Sequence, residues 1–449
     1  MKIIDSNDFD SYWKKNTNKV DDPKTEKIVK KIITDVRAKG DEAVKKYASK
    51  FNKSSPANLE IPLSEAYLAL DALRANELKL TEALELAADN IMRFSIKQRE
   101  QFSNFECELD KGITAGQRVI PVQRAAIYIP AGRFPLISSC LMCMIPAVTS
   151  GVEEVFFTSS PMEDGKPDRK ILAAAAIAAN ACGILINKEN AHNRRLRLFA
   201  IGGAQAIAAF AFGTETVPRA DVIAGPGSKY IITAKRLLYG QVGLDFLAGP
   251  SDVLIISDEE ASEEAADYIA ADMLAQAEHD PDARARSLVP DKRFADLVAA
   301  AIEKRLRSLK TAKTARASLD NGGLIIVYKD RDEAVRIANE IAPEHLELQS
   351  TDAESWITKL VNYGSLFIGS LSAEVLGDYS AGVNHTLPTE SSARFTGGLS
   401  VRHFLKTVTT LRCSNGEGFE KARAAAEIIG RAEGLEGHAL SAASRKSYE

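Results

Sequence analysis

From Arg124 onward the chain alternates short β-branched runs with alanine-rich segments of helical periodicity, and this alternation restricts the fold more than any other feature. The runs are RAAIYIP, VEEVFFTS, ADVIAGP, DVLIISD, GGLIIVY and GSLFIGS. Parallel strands joined by crossover helices have this pattern. With 449 residues, of which 45% are hydrophobic, the chain can bury more than one core. The sequence therefore predicts an α/β fold with parallel sheets.

The two ends of the chain are helical in pattern. Residues 22–51 and 64–94 place apolar residues three and four apart, and residues 420–445 are rich in alanine with the same spacing. Between the ends, glycine and proline cluster in IPAGRFP, AGPGS and LAGPSD. Such loops at the carboxyl ends of parallel strands are where open α/β sheets bind ligands.

Charge and cysteine usage narrow the class of protein. The net charge of −4 comes from 57 basic and 61 acidic residues that are interspersed, which excludes the basic stripe of a nucleic-acid binder and favours small-molecule partners. The cysteines, an odd set with no second close pair to complete a zinc site, indicate a reducing cytoplasm. They are Cys107, Cys140, Cys143, Cys182 and Cys413. The sequence has neither an apolar signal core nor a run of roughly 18 apolar residues, so we expect a cytoplasmic protein without a membrane span.

A helical run ends in DMLAQAEHD, residues 272–280, where Gln276 and His279 are three positions apart. Residues at this spacing share one face of a helix, so an imidazole and an amide oxygen can bind one cation there. The alternative is a helix-end histidine beside a solvated Glu278. Four histidines stand in unusual polar surroundings, QAEH, APEHLEL, GDYSAGVNH and EGLEGH, and zinc prefers imidazole and carboxylate ligands. The six histidines are His192, His279, His345, His385, His403 and His438.

The segments DFLAGPSDVLIISD, LAQAEHDPDA, APEHLEL, GDYSAGVNHTLPT and EGLEGHA occur in this order, and together they resemble the histidinol dehydrogenase family over nearly the whole chain. The resemblance implies two Rossmann-like parallel-sheet domains with a helical N-terminal lead-in and a small helical C-terminal domain, in an intertwined homodimer. The implied divisions are an N-terminal arm (1–22), a first α/β domain (23–127 with 250–375), a second, NAD-binding α/β domain (128–249 with 376–393) and a C-terminal helical dimerisation segment (394–449).

The resemblance also implies one zinc ion per subunit, which holds and orients the substrate. Its ligands would be Gln276, His279, Asp378 and His438, the last from the other subunit. Taken alone, Asp378 is equally a solvated turn carboxylate.

In APEHLEL the resemblance makes His345 the general base and Glu344 the residue that activates water, roles that an alcohol-to-acid oxidation requires. The alternative for this pair is an exposed loop. The resemblance also implies substrate contacts from the four zinc ligands, from Glu344 and His345, and from Ser251 and Glu433. His385 is either part of the site or a structural hydrogen bonder.

For NAD the resemblance implies contacts from Tyr128, Gln205 and Ser228, the last standing where the family has asparagine. No complete G-x-G-x-x-G fingerprint follows a strand, so GPGSKY taken alone is equally a tight turn.

The implied activity is a four-electron oxidation of a primary alcohol through an aldehyde to a carboxylate, with L-histidinol as the substrate in histidine biosynthesis. PAGRFPLISS and SARFTGGLSVRHFLK resemble instead the related sulfopropanediol 3-dehydrogenases, for which the substrate would be 2,3-dihydroxypropane-1-sulfonate and the product sulfolactate. Arg133 would then hold a sulfonate, unless it is a surface loop arginine. Residues 184–199 have no clear family counterpart, and a non-catalytic zinc-binding relative is the remaining alternative.

Overall fold

The computed structural model describes residues 1–16, 22–51, 54, 56–131, 135–183, 195–247 and 249–445. Arg133 lies outside these ranges, as do residues 184–194 of the segment without a family counterpart. The end of that segment, Arg195–Phe199, is a strand of a parallel sheet, so this part of it belongs to the fold's framework.

The strands are β1 (Lys2–Asp5), β2 (Glu60–Ile61), β3 (Phe105–Asp110), β4 (Ile113–Pro121), β5 (Arg124–Ile129), β6 (Glu154–Ser159), β7 (Arg195–Phe199), β8 (Val222–Ala224), β9 (Gly243–Leu244), β10 (Asp252–Ser257), β11 (Arg284–Val289), β12 (Leu324–Val327), β13 (His345–Gln349), β14 (Ser365–Ile368) and β15 (Leu405–Cys413). The helices are α1 (Phe9–Asn16), α2 (Pro23–Phe51), α3 (Ser64–Asn76), α4 (Leu78–Glu100), α5 (Ile137–Ser150), α6 (Arg169–Ala181), α7 (Ala204–Phe212), α8 (Lys229–Leu238), α9 (Glu263–Ala277), α10 (Lys292–Leu306), α11 (Ala312–Gly322), α12 (Arg331–Ile341), α13 (Glu354–Ile357), α14 (Glu374–Tyr379), α15 (Glu417–Ala432) and α16 (Glu436–Ala443).

The first sheet has the strand order β1-β12-β11-β10-β13-β14, and each neighbouring pair is parallel. Its central strands are buried on both faces, which is why β10 is apolar almost throughout. Alternate residues of these strands pack against α9, α10 and α11 on one face and against α1, α12 and α13 on the other.

The second sheet has the order β2-β7-β6-β5-β8-β9, parallel except for the short β2 at its edge. Helices α3, α4, α5 and α6 cover one face, and α2, α7 and α8 cover the other. The alternation in the sequence thus predicted both sheets correctly, and the α/β fold with two parallel-sheet domains is confirmed.

Two parts of the chain pack differently from the domain divisions expected above. Helices α2, α3 and α4, expected with the first sheet, lie on the second, where α2 contacts α7 and α8, α3 contacts α6, and α4 contacts α5 and α6. The N-terminal arm supplies β1, which is an edge strand of the first sheet. Helical periodicity identifies an apolar face but not the sheet that covers it, so the sequence could not assign these helices.

The C-terminal segment ends in helices, as expected, but it begins with a long strand. β15 pairs antiparallel with β4 along its whole length, and β4 pairs with β3. Helix α15 packs against α16 and β3. The segment leaves large apolar side chains exposed in this single chain, namely Leu411, Ile428, Ile429, Leu435 and Leu440.

A connecting segment, residues 380–404, lies between the two sheets. Nδ2 of Asn384 donates to the carbonyl of Met142 (2.6 Å) in α5, and Thr386 contacts Cys143 in the same helix. Cys143 and Cys140 are buried free thiols in this apolar helix. None of the helices in the described part of the chain has the length and apolar character needed to cross a bilayer.

Candidate active site

Two parallel strands of the first sheet begin side by side at the predicted catalytic pair. β10 and β13 pair with Val253 opposite His345. The amide N–H of Glu344 donates to Oδ1 of Asp252 (3.1 Å), and the amide N–H of Asp252 donates to Oε2 of Glu344 (3.1 Å). Ser251 directly precedes Asp252 and is half-buried. LAGPSD thus leads into β10. The candidate site therefore lies at the amino edge of this sheet, whereas the loops in the sequence had suggested the carboxyl edge.

The imidazole of His345 is buried among three carboxylates. Its Nε2 lies 3.3 Å from Oδ1 of Asp378, while its Nδ1 lies 3.6 Å from Oε1 of Glu374 and 3.9 Å from Oε2 of Glu344. The ring packs against Phe367, with 5.9 Å between ring centroids. Neither ring nitrogen makes an aligned hydrogen bond with the described residues. Glu344 and His345 are therefore a buried pair, and the alternative of an exposed loop is wrong.

Two further carboxyl groups adjoin Glu374. The amide N–H of Glu374 donates to Oε1 of Glu347 (2.8 Å), and the charge of Asp272 in α9 acts on both Glu347 and Glu374. Burial raises the pKa of Asp272 to about 6, and burial together with the charge of Asp272 raises the pKa of Glu347 well above its ordinary value. These two groups therefore add to the buried acidic charge beside Glu374.

The pKa values around His345 show an excess of buried negative charge. Burial raises the pKa of Glu344 to about 8 and raises the pKa of Glu374 well above its ordinary value. Burial would lower the pKa of His345, but Glu374, Glu344 and Asp378 raise it well above its ordinary value. Burial would likewise raise the pKa of Asp378, but its contact with His345 lowers it. A cation bound among these groups would offset the desolvation of the carboxylates.

The chemistry of the buried donor atoms fits a metal ion. Within the described ranges, a single group of three His, Cys, Asp or Glu side chains could hold one, namely His345, Glu374 and Asp378, with ligand atoms all within 4.8 Å of one another. Gln276 near the end of α9 is 1% exposed, and neither of its amide atoms has a hydrogen-bond partner among the described residues. Oδ1 of Asp378 lies near Nε2 of His345 but makes no aligned hydrogen bond with the described residues. Buried oxygens without partners are costly unless a ligand binds them.

The other residues of the predicted zinc site are at the surface of this chain. His279 follows α9, which packs against the helix of Asp378, and its charge contributes to the lowered pKa of Asp378. His438 in α16 and Glu433 after α15 are exposed within the C-terminal segment. Asp378 thus contacts His345 directly, and α9, which carries Gln276 and ends before His279, packs against the helix of Asp378.

His385 lies where the connecting segment meets the second sheet. Its Nε2 is 3.3 Å from the hydroxyl of Ser139 in α5. Burial lowers its pKa, while the charge of Asp378 acts in the opposite direction. A neutral histidine that hydrogen-bonds Ser139 agrees with the structural role that the sequence left open.

The three predicted NAD contacts lie along the carboxyl edge of the second sheet. Tyr128 is in β5, Gln205 is in the first turn of α7 after β7, and Ser228 precedes α8 after β8. The amide N–H of Gly203 donates to the hydroxyl of Tyr128 (3.2 Å). Gln205 is fully buried, yet neither of its amide atoms has a partner among the described residues. A polar ligand at this edge would satisfy Gln205.

The loop of the GPG sequence packs directly on β5. Gly225 has φ +119°, and a Cβ there would lie 2.1 Å from the carbonyl oxygen of Tyr128, so only glycine fits. A buried ion pair between Lys235 and Asp245 fixes the position of this loop. Nζ of Lys235 lies 2.7 Å from Oδ1 of Asp245 and donates to the carbonyl of Gly225 (2.5 Å), while Oδ2 of Asp245 accepts from the amide of Gly225 (2.8 Å).

Lys235→Met should destabilise the protein by about 3–5 kcal/mol, because it leaves the carboxylate of Asp245 buried without its partner. The free energy of unfolding in urea measures this. The matched control is Lys229→Met, which breaks the exposed ion pair with Asp22 and should change stability little. Equal effects of the two substitutions would contradict the importance of burial.

Comparison with known proteins agrees with this geometry. Residues 15–446 match the family model described as histidinol dehydrogenase. The chain belongs to the histidinol dehydrogenase family. The histidinol dehydrogenase of Acinetobacter baylyi is 40% identical over 94% of this chain and 93% of its own length, and that of Thermus thermophilus is 42% identical over 94% of each. The crystal structure of histidinol dehydrogenase from Elizabethkingia anophelis superposes with a TM-score of 0.85 at 31% identity, covering 96% of this chain and 95% of that one.

Membership of the histidinol dehydrogenase family confirms the resemblance and the expected class of oxidoreductase. The sequence interpretation missed three carboxylates that the structure places near His345. Glu374 and Asp272 each lie four residues before a predicted metal ligand on the same helix, and Glu347 lies two residues after His345 on the same strand. These spacings put each of them on the face of its element that carries the predicted residue, so the signal was present.

Proposed function

We propose that the protein is a zinc- and NAD-dependent dehydrogenase that oxidises L-histidinol through L-histidinaldehyde to L-histidine. The observation that carries the proposal is that buried oxygens of Gln276 and Asp378 make no aligned hydrogen bond with the described residues, and that Asp378 lies against the buried Glu344–His345 pair. One set suits a metal that holds a polar substrate, and the other suits proton transfer and the activation of water. The names of the relatives support histidinol as the alcohol.

The first oxidation removes a proton and a hydride from the alcohol. The hydroxyl proton passes to His345 as the hydride leaves the adjacent carbon, which gives the aldehyde. NAD supplies the hydride acceptor for this oxidation and for the second one. Tyr128, Gln205 and Ser228 would hold NAD at the carboxyl edge of the second sheet, where the buried amide of Gln205 has no other partner among the described residues.

The second oxidation consumes water. Glu344 takes a proton from water as its oxygen attacks the aldehyde carbon, and His345 returns the proton it gained in the first oxidation to the aldehyde oxygen, which gives a hydrate. His345, now neutral again, takes a hydroxyl proton of the hydrate as the second hydride leaves. The product is the carboxylic acid, so four electrons leave the substrate in total. Burial raises the pKa of Glu344 to about 8, which makes it a stronger base than an ordinary glutamate.

The predicted zinc ligands are Gln276, His279, Asp378 and His438. A bound zinc ion would supply positive charge that orients the polar end of the substrate and offsets the carboxylates around His345. Glu374 lies near the same atoms and would support His345 or the metal from the opposite side. Ser251, just before β10, would contact the substrate beside Glu344.

His438 would reach the site of the other subunit of a homodimer, together with Glu433. Both are exposed in this chain, on a segment whose apolar residues Leu411, Ile428 and Leu440 are more than half exposed. A second copy that covers these residues would bury apolar area and complete the ligand set.

Mixing inactive His345→Ala chains with inactive His438→Ala chains should restore part of the activity. In a heterodimer both defects fall in one shared site, which leaves the other site intact. Turnover after co-refolding measures the recovery, with each variant refolded alone as the control. Heterodimers that form, as shown by a tag pull-down, but have no activity would mean that His438 does not serve the partner's site.

Comparing substrates tests the activity. The purified protein, loaded with zinc and supplied with NAD, should reduce NAD with L-histidinol at a kcat/KM at least about 100-fold above that with 2,3-dihydroxypropane-1-sulfonate, because a site with polar groups for one substrate rejects an analogue that leaves them unpaired. A preference for the sulfonate would assign the protein to the related activity. No NADH with either alcohol would favour the non-catalytic alternative.

A further inference from the structure

A buried ion pair lies directly beside Glu344 and has no part in the chemistry proposed above. Nη1 of Arg286, in the middle of β11, lies 3.1 Å from Oδ2 of Asp252, at the start of β10. The two side chains are 6% and 7% exposed. A buried ion pair stabilises a fold no more than well-packed apolar side chains of similar volume. Its presence therefore calls for a reason other than stability.

Asp252 connects this ion pair to Glu344 through its side-chain carboxylate and its backbone amide. Its Oδ1 accepts from the amide N–H of Glu344 (3.1 Å), and its own amide N–H donates to Oε2 of Glu344 (3.1 Å). The main chain and the carboxylate of Glu344 are thus both bonded to one residue. Any movement of Asp252 would move the carboxylate of Glu344 with it.

Arg286 is itself held in place. Its guanidinium lies 5.1 Å from the centre of the Trp13 ring in α1, and Arg284 and Tyr12 are the other charged or titratable groups that act on it besides Asp252. A guanidinium between an aromatic ring and a carboxylate has little freedom to turn. Asp252 consequently has one buried, fixed cation to which its Oδ2 is bound.

We propose that Arg286 and Asp252 are positioning residues. They hold the carboxylate of Glu344 in the orientation in which it takes a proton from water during the oxidation of the aldehyde. The inference rests on the proposed function, in which Glu344 serves only the half of the reaction that consumes water. Glu344 is surrounded by His345, Asp378 and Glu374 as well as Asp252. Repulsion from the carboxylates would turn Glu344 away from a productive orientation, and the bonds to Asp252 oppose that.

The test compares the two half-reactions in one protein. Rapid mixing gives the rate of the first hydride transfer from L-histidinol and, separately, the rate of NADH formation from L-histidinaldehyde. Arg286→Met and Asp252→Asn should each lower the ratio of the aldehyde rate to the alcohol rate by about tenfold, since misplacement of a reacting group by about 1 Å costs up to roughly a hundredfold. Arg286→Lys, which keeps a cation beside Asp252, should restore most of the ratio.

Two further variants keep the result interpretable. Arg286→Met or Asp252→Asn alone leaves one buried charge unpaired and can impair folding, whereas the double variant Asp252→Asn/Arg286→Met leaves none. The double variant should lower the ratio by about as much as either single one, because the pair acts as a unit. Lys235→Met breaks an equally buried ion pair beside the NAD edge, which both half-reactions use, so it should leave the ratio unchanged.

Measuring the same ratio for Glu344→Gln in parallel distinguishes failure of the inference from failure of the proposed function. A low ratio in Glu344→Gln with an unchanged ratio in the double variant overturns the role of the ion pair and leaves the proposed function intact. An unchanged ratio in Glu344→Gln contradicts the role of Glu344 in the proposed function, and the inference falls with it. A lowered ratio in Lys235→Met as large as in Arg286→Met would mean that loss of any buried ion pair has this effect, which also overturns the inference.

Discussion

Replacing His345 with alanine should lower kcat by about 10²–10⁴-fold, the range that general base catalysis contributes. Both oxidations pass a hydroxyl proton to this residue, so both half-reactions should slow. His345 is 3% exposed and lies 3.3 Å from Asp378, close enough to the predicted ligands that metal content must be measured with turnover. We expect the variant to retain most of its zinc, because His345 is not among the four predicted ligands.

The matched control is His403→Gln. His403 is a half-buried histidine that caps a short helix by accepting from the amide of Ser400, and it lies outside the cluster around His345. Its replacement should leave kcat near that of the wild type. A His345→Ala variant that loses its zinc along with its activity would instead identify His345 as a metal ligand, in the group that it forms with Glu374 and Asp378.

Replacing Asp378 with alanine should remove most of the bound metal and with it nearly all activity. The affinity for zinc should fall by more than the roughly 10–100-fold that follows loss of a group that merely supports a ligand. Asp378 has a buried oxygen without an aligned hydrogen bond to the described residues, and its contact with His345 lowers its pKa against the effect of burial, so its carboxylate is ready to bind a cation. Metal analysis after dialysis against a weak chelator measures the loss.

The control for this substitution is Asp352→Ala, which removes an exposed carboxylate that pairs with Arg331 and should leave about one zinc per chain. Full zinc occupancy in Asp378→Ala would show that the metal binds elsewhere. It would also remove the reason for the unpaired oxygens of Gln276 and Asp378.

Much of the fold could be predicted because a strand that is buried on both faces is apolar at nearly every position. DVLIIS in β10 is buried on both faces, and only a parallel sheet covered on both sides makes such a run common. The partner of each helix leaves no such mark on the sequence. Helices α2, α3 and α4 have clear apolar faces, yet nothing local distinguishes the sheet that buries them, and their assignment to the first sheet was wrong for this reason.

The candidate site was predicted in part for a similar reason. Gln276 and His279 share a helix face, and Glu344 and His345 are adjacent, so local spacing suffices to pair them. The contact between His345 and Asp378 crosses from β13 to α14, and only the family resemblance indicated it. Glu374 was missed because a lone acidic residue early in a short helix is ordinary at the surface, and only the fold buries this one.

The central claim is that one site takes an alcohol through an aldehyde to a carboxylate. Its most direct test is the yield of NADH and of L-histidine from a limiting, known amount of L-histidinol, with NAD in excess and the zinc-loaded protein run to completion. The account predicts two NADH and one L-histidine for each L-histidinol consumed, because Glu344 and His345 serve the second oxidation as well as the first. One NADH for each L-histidinol, with L-histidinaldehyde as the product, would contradict it.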